Sequence, residues 1–451
     1  MKTITIFLTL AAVGLAQTGR TFSQQMPVSD DPRRVPVPPG PRGPEGAIVL
    51  TGGRVFDGTG APVRSATVVL ERNRVTAVLP PDSKQFPAGA RVINVNGKFV
   101  MPGLIDLHTH IDYTEPGTPP QFAASGADAA LRGVERLRYY IESGITSIRD
   151  VASYGDDPFR LKAWVAQNRI PGPRMFVAGQ LITGTGGHGA ELSQTRDPAS
   201  EAIREASGPD DWREAVRQQF KRGADVIKIA SHFSEAEVAA AVDEAHALGL
   251  KITCDCETFY IERAVKAGVD CIEHPLPRTD ATIAEMARRG TKADPTLVPY
   301  EFIFDESGGY FNSTSRRFEF SKEADFNVLR RMKKAGIVMG IGTDLVTDWF
   351  RTLPYPYIKE MKNFVEAGYT IHETLGIATR VNAEILDMAD KLGTLIPGKL
   401  ADVIVVDGRP DQNLDDLSKI DLVIRDGYVV VEGGKISVPR HAPEAPRKRS
   451  R

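Results

Sequence analysis

Phe99-Val100-Met101-Pro102-Gly103-Leu104-Ile105-Asp106-Leu107-His108-Thr109-His110 decides how the rest of the chain is read. It is an apolar run, crossed by Pro-Gly and ending in His-x-His, and it reads as a buried β-strand. Side chains on a strand alternate faces, so His108 and His110 point the same way. Two imidazoles side by side at a strand end can grip one metal ion. They can also simply cap the strand and bond to backbone, and His-x-His alone favours that plainer reading. The balance turns on whether later strands bring further ligands.

Outward from this stretch, strands alternate with helical patterns. Strand candidates are 100–110, 145–151, 174–182, 225–231, 251–256, 270–274, 292–298 and 337–344. Amphipathic stretches lie between most of them, among them 127–142, 212–222, 235–248 and 322–335. Strands each followed by a helix over roughly 250 residues are the signature of a (β/α)8 TIM barrel. Gly144, Gly223, Gly249, Gly268 and Gly336 stand just before strands, where helices end. Residues 300–321 read as an aromatic loop over the barrel mouth.

The flanks differ. Residues 47–98 and 391–438 hold short β-branched runs between Gly, Pro and Asn breakers, which suggests one composite β-sandwich domain from both chain ends. The barrel then spans 99–390. Lys2, the apolar run Ile4–Leu15 and Gly14-Leu15-Ala16 have the form of a signal peptide over residues 1–25. That run is shorter than the ~20 residues of a membrane span, so the chain is expected to be exported, periplasmic or secreted, without stable membrane insertion. Residues 26–46 form a Pro/Gly-rich linker, and 439–451 a basic disordered tail. With 56 basic and 58 acidic residues, the charge balance argues against nucleic acid or an anionic membrane as the main partner. Three cysteines do not make a disulfide framework.

Barrel enzymes work at the C-terminal ends of their strands. Those ends carry His108 and His110, Lys228, Cys254, His274 and Asp344. A lysine inside an apolar strand is costly unless neutralised or used. Singly, each of these is more often structural; six at successive strand ends point to a metal site.

The sequence resembles the metal-dependent amidohydrolase superfamily, in its imidazolonepropionase-like and Xaa-Pro-dipeptidase-like branch, over about residues 47–435. The resemblance is carried by Pro102 to His110, Gly186-Gly187-His188-Gly189, Gly268 to His274, Gly342-Thr343-Asp344 and Lys399 to Val403. It implies that His108, His110 and Asp344 bind a divalent metal such as zinc, and that carboxylated Lys228 bridges to a second ion. A metal-activated hydroxide would attack an amide, peptide or cyclic amide C–N bond. Asp344 would be the catalytic proton carrier. His274 would be a further ligand, and His188 would contact a small-molecule or dipeptide substrate. Nothing in this pattern excludes a homo-oligomer.

The match fails at strand five, where the family has a ligand histidine 20 positions before His274. This chain has Cys254 there, and Cys256 at a substrate-facing position two residues on. Cys254 is then a thiolate ligand, or one metal position is lost, or the protein only binds. Asp255 should face the helices and would ligate only from a bulged strand. Glu257 raises the alternative of a one-metal deaminase or imidazolone-type ring hydrolase.

Overall fold

The computed structural model describes residues 43–113, 126–190, 202–307 and 321–437. The expected signal peptide, most of the Pro/Gly-rich linker and the basic tail lie outside these residues. Among the described residues no helix is long and apolar enough to cross a membrane.

The strands are β1 (Ala47–Val55), β2 (Arg64–Glu71), β3 (Arg74–Leu79), β4 (Arg91–Asn94), β5 (Phe99–Pro102), β6 (Leu104–Thr109), β7 (Ile145–Asp150), β8 (Arg174–Val177) and β9 (Leu181–Gly184). They continue with β10 (Ile203–Ala206), β11 (Val226–Ala230), β12 (Lys251–Asp255), β13 (Cys271–Glu273), β14 (Lys292–Asp294), β15 (Val403–Val406), β16 (Ile420–Arg425), β17 (Tyr428–Glu432) and β18 (Lys435–Ile436). Both chain ends build one nine-stranded sheet, in the order β18-β17-β16-β15-β5-β1-β2-β3, with β4 also on β1. Alternation fills both its faces. Leu50, Val68, Val100, Val403, Val405 and Ile424 form one buried cluster. Phe99, Met101, Ile404 and Val406 instead join the main core.

The stretch Phe99–His110 is two strands rather than one. β5 pairs antiparallel with β15, whereas β6 pairs parallel with β7. The chain changes sheets at Gly103, whose N–H reaches Asp402 O at 2.9 Å while Leu104 N–H reaches Gly144 O at 3.1 Å. A Cβ on Gly103 would run into the Thr146 side chain, so only glycine lets the two sheets approach this closely.

The remaining strands form two parallel sheets, β6-β7-β8 and β10-β9-β11-β12-β13-β14. The expected third strand, 174–182, is split into β8 and β9. The expected eighth strand makes isolated bridges, Met339 to Ala293 and Leu345 to Thr109, rather than a continuous ladder. Its backbone nevertheless lies between β14 and β6: Gly340 N–H bonds to Ala293 O, and Leu107 N–H to Ile341 O. Asp225 N–H likewise bonds to Val177 O, joining β8 to the entry of β11. Helices 126–142, 157–166, 209–222, 235–247, 258–267, 280–289 and 322–334 cover the parallel strands. Gly223 and Gly268 end two of them in left-handed conformation, as their positions before strands lead one to expect. The aromatic segment expected as a loop opens as a helix, Leu297–Ser307, and residues 308–320 lie outside the described set.

One buried acid makes a pH-dependent contribution. Asp325, on helix 322–334, is 3% exposed, and burial first and Glu301 second raise its carboxyl to about 7. The unfolded chain ionises this group near 3.8. Its neutral form therefore fits the fold, and stability is lost as pH rises from about 4 through 7. Asp325→Asn should raise Tm by a few degrees at pH 8, of order 2 kcal/mol, with the gain shrinking toward pH 4. Thermal melts of both proteins across this range check it; an equal gain at every pH would contradict the titration argument.

Candidate active site

His108 and His110 stand at the end of β6, and Asp344 at the end of the stretch beside it. His110 Nε2 lies 3.1 Å from Asp344 Oδ1, and His108 Nε2 lies 3.5 Å from the same oxygen. The other ring nitrogens are taken. His110 Nδ1 faces Ala152 O at 3.0 Å, and a carbonyl only accepts, so Nδ1 carries the proton. His108 Nδ1 donates to Glu273 Oε2 at 2.9 Å. Both rings thus turn Nε2 to the same place, the arrangement that second-layer partners give metal-binding histidines. Burial, then the Lys228 charge, pushes the His108 imidazolium down to about 3, so the ring is neutral at physiological pH. Burial would raise the Asp344 carboxyl, but His108, His110 and His274 hold it well below the usual range, as a carboxylate.

The support beneath is ionic. Glu273 accepts from Arg149 Nη2 at 2.7 Å and from Thr253 Oγ1, and Arg149 also lies 3.4 Å from Asp294. Against its burial, Arg149 first and His108 next keep Glu273 ionised. Asp106 ties β6 to the Gly-Thr-Asp segment: it accepts Thr343 N–H at 2.9 Å and Thr343 Oγ1–H at 2.6 Å. Gly342 is required by the approach itself, since a Cβ there would stand 2.7 Å from His108 Cβ and 2.8 Å from its backbone N. Asp344 (φ 48°) and His274 (φ 65°) are both left-handed, a strained state that clusters at functional sites.

Two trios of ligand atoms lie within 4.8 Å of one another among the described residues: His108, His110 and Asp344, and His108, Glu273 and Asp294. Arg149 occupies the second trio. The first fits a divalent ion: two imidazoles whose Nδ1 atoms are already engaged elsewhere and one carboxylate, the donor set zinc accepts.

Lys228 points into the same space, 1% exposed, with Nζ 3.3 Å from His108 Nε2. His274 lies beside them, its Nδ1 2.6 Å from Thr296 Oγ1 and 3.9 Å from Asp344 Oδ2. His188 reaches the site on a glycine loop; a Cβ on Gly184 or Gly187 would collide with the backbone of Ser231 or His232.

Strand five differs from expectation. Sheet register pairs Lys228 with Thr253 and Ile229 with Cys254. Thr253 and Asp255 therefore share the inward face of Lys228, and Cys254 shares the outward face of Ile229. Cys254 and Cys256 sit in the apolar core with Ile227 and Ile229 and are bonded to each other as a disulfide. The expected metal-ligand role of Cys254 and substrate contact of Cys256 are thus corrected: both side chains are buried in the apolar core, and neither faces the site. Asp255, expected to face the helices, is the residue that enters.

Other candidates are structural. His246 pairs with Asp270 at 2.9 Å on the surface, and His372 packs edge-on against Phe56. Glu257 is buried at the start of helix 258–267, bonded by Ser231. The Asp348 side chain lies outside the described residues, while Trp349 packs on Phe302. Glu273 and Arg149 escaped the sequence reading as site residues. Glu273 was legible as the neighbour of His274, but a buried arginine on a strand carries no local signal.

Ochratoxinase of Aspergillus niger is 25% identical over 416 residues, covering 81% of this chain and 82% of its own. A solved prolidase in complex with N-methylphosphonate-L-proline is 28% identical, with a TM-score of 0.77, covering 86% of this chain and 100% of its own. A solved Xaa-Pro dipeptidase with methionine in its active site is 26% identical, with the same TM-score and coverage. The amidohydrolase family model matches residues 99–430. With most of its length inside that match, the chain belongs to the amidohydrolase family.

Proposed function

We propose that the protein hydrolyses the C–N bond of a small amide, cyclic amide or dipeptide at a divalent-metal site held by His108, His110 and Asp344, with zinc the ion its donors suit best. The observation that carries this reading is the pair of Nε2 atoms, their rings oriented by Glu273 and Ala152 O, converging on the Asp344 carboxylate. A bound metal supplies Lewis acidity and lowers the pKa of water toward ~7. Asp344, ionised and 18% exposed at its side chain, is placed to take a proton from the attacking water and pass it to the leaving amine. His188, on its loop, faces the substrate. The names of the relatives, ochratoxinase, prolidase and Xaa-Pro dipeptidase, support an amide or peptide substrate.

The backbone bonds that place 337–345 between β14 and β6, and Asp225 against Val177, support closure of the parallel strands into an eight-membered barrel. The apolar cluster shared by β1, β2, β15 and β16 supports a composite sandwich. Residues 1–25 support export; N-terminal sequencing of the mature protein from an expressing bacterium tests that.

Activity is tested on zinc-loaded protein with three substrate sets: N-acyl amino acids and dipeptides ending in proline, cyclic amides, and aminated heterocycles. Amine or amino acid release from the first two sets, abolished in Asp344→Asn, is expected. Ammonia release from the third set alone would favour the one-metal deaminase. Turnover of none, with zinc bound, would sink the hydrolase reading.

A further inference from the structure

Just beyond β13 lies a buried cation that the reaction above does not use. Arg278 is 5% exposed. Its Nη2 donates to His274 O at 2.6 Å, and its Nε to Leu276 O at 3.1 Å. Its Nη1 is turned to two thioethers, Met332 Sδ at 3.5 Å and Met286 Sδ at 3.9 Å. Among the described residues no carboxylate pairs with it, whereas Arg149 lies between Glu273 and Asp294. A buried charge without a counter-charge is costly. Methionine would fill the same space beside Met286 and Met332 without that cost. Stability therefore gives no reason for the cation, and the atom it holds most closely does.

That atom belongs to His274, whose backbone is left-handed, φ 65°. A branched-off side chain rarely adopts this region, and it persists only where the surroundings over-determine it. The His274 N–H is fixed by Asp294 O at 2.8 Å, and the ring by Thr296 Oγ1 at 2.6 Å. The carbonyl is held by Arg278. A charged donor at this distance makes a strong bond. Turning this peptide would swing the ring away from His108, whose ring centre is 4.9 Å off, and from Asp344 Oδ2, 3.9 Å from Nδ1.

We propose that Arg278 is a positioning residue for the reaction: it grips the His274 carbonyl and so fixes the left-handed turn that directs the His274 ring at His108 and Asp344. The inference rests on the hydrolase reading above. Arg278 acts through His274 and not on substrate.

The test compares Arg278→Met and Arg278→Lys with wild type, as zinc-loaded full chains. Arg278→Met should melt at or above the wild-type temperature, yet lose about 10- to 100-fold in kcat, the usual effect of a second-layer partner. KM should stay within about two-fold, because no substrate contact is removed. Arg278→Lys should recover part of the rate, since an ammonium keeps one charged donor for the carbonyl. Nitrogen-15 spectra of histidine-labelled protein supply a readout free of turnover. The His274 ring signals, assigned by their loss in His274→Asn, should shift in Arg278→Met and move back in Arg278→Lys. Those of His246 and His372, which lie outside the site, should stay. If Arg278→Met does not fold, Arg278→Gln, with a shorter neutral donor, is read in the same way. A lower melting temperature with unchanged kcat would overturn the proposal, and so would unmoved His274 ring signals at any rate. Wild-type turnover with those signals unmoved defeats only this inference. Absence of turnover in wild type defeats the hydrolase reading and this inference with it.

Discussion

His108→Ala should leave the protein folded, without metal at its first position, and at least ~10³-fold less active. The magnitude follows from what is removed. A catalytic metal contributes several kcal/mol of transition-state stabilisation, and each 1.36 kcal/mol is about a factor of ten in rate. His108 is the hinge of the arrangement, because its two nitrogens do different things. Nε2 faces Asp344 and Lys228, while Nδ1 holds Glu273. The variant therefore also deprives a buried carboxylate of one donor, though Arg149 and Thr253 remain on it. Glu273→Gln separates these effects: its amide oxygen still accepts from Nδ1–H, so the tautomer survives while the charge is lost. It should cost about 10- to 100-fold in metal affinity, the usual effect of a second-layer partner. If His108→Ala melted earlier yet kept its metal and turnover, the histidine would be structural and the site would lie elsewhere.

His108, His110 and Asp344 were legible because their signals are local. Period-two alternation puts both histidines on one face, and Gly-Thr-Asp closes a glycine-bearing strand. What could not be read is what depends on pairing between distant segments. Residues 99–110 look like one strand; that the first four belong to a sheet completed by residues 403–436 is decided by β15, three hundred residues away in sequence. Asp255 was misplaced for a related reason. Counting back from His274 fixes distance along the chain but not which face of β12 turns inward, and that face is set by its register with β11. The Cys254–Cys256 pair drew attention to the wrong side of the strand. Arg149 was invisible because a buried cation on a strand becomes intelligible only beside the Glu273 and Asp294 carboxylates it holds.

Lys228→Ala should be as damaging as the loss of His108 but, unlike it, open to chemical rescue. The side chain is buried on β11, its Nζ 3.3 Å from His108 Nε2. As an ammonium it helps keep His108 unprotonated, yet it would also repel any cation arriving at His108, His110 and Asp344. Reaction of the neutral amine with carbon dioxide, releasing one proton, would resolve the conflict. The carbamate would carry a negative charge and two oxygens where the ammonium carries only donors. Lys228→Ala removes it and leaves space, so activity should fall by about 10³-fold and return in part with formate, acetate or propionate, small carboxylates that can occupy the vacated volume. Lys228→Arg keeps a cation and fills the space, so the same acids should do nothing. Wild-type protein stripped of metal at low pH should regain activity on metal addition only when bicarbonate is present. Native mass spectrometry should then show the added mass of one carbon dioxide. Equal recovery in carbonate-free buffer would show that Lys228 works unmodified. Metal retention in Lys228→Ala would place it outside the metal shell altogether, as a charge that merely sets the protonation of His108.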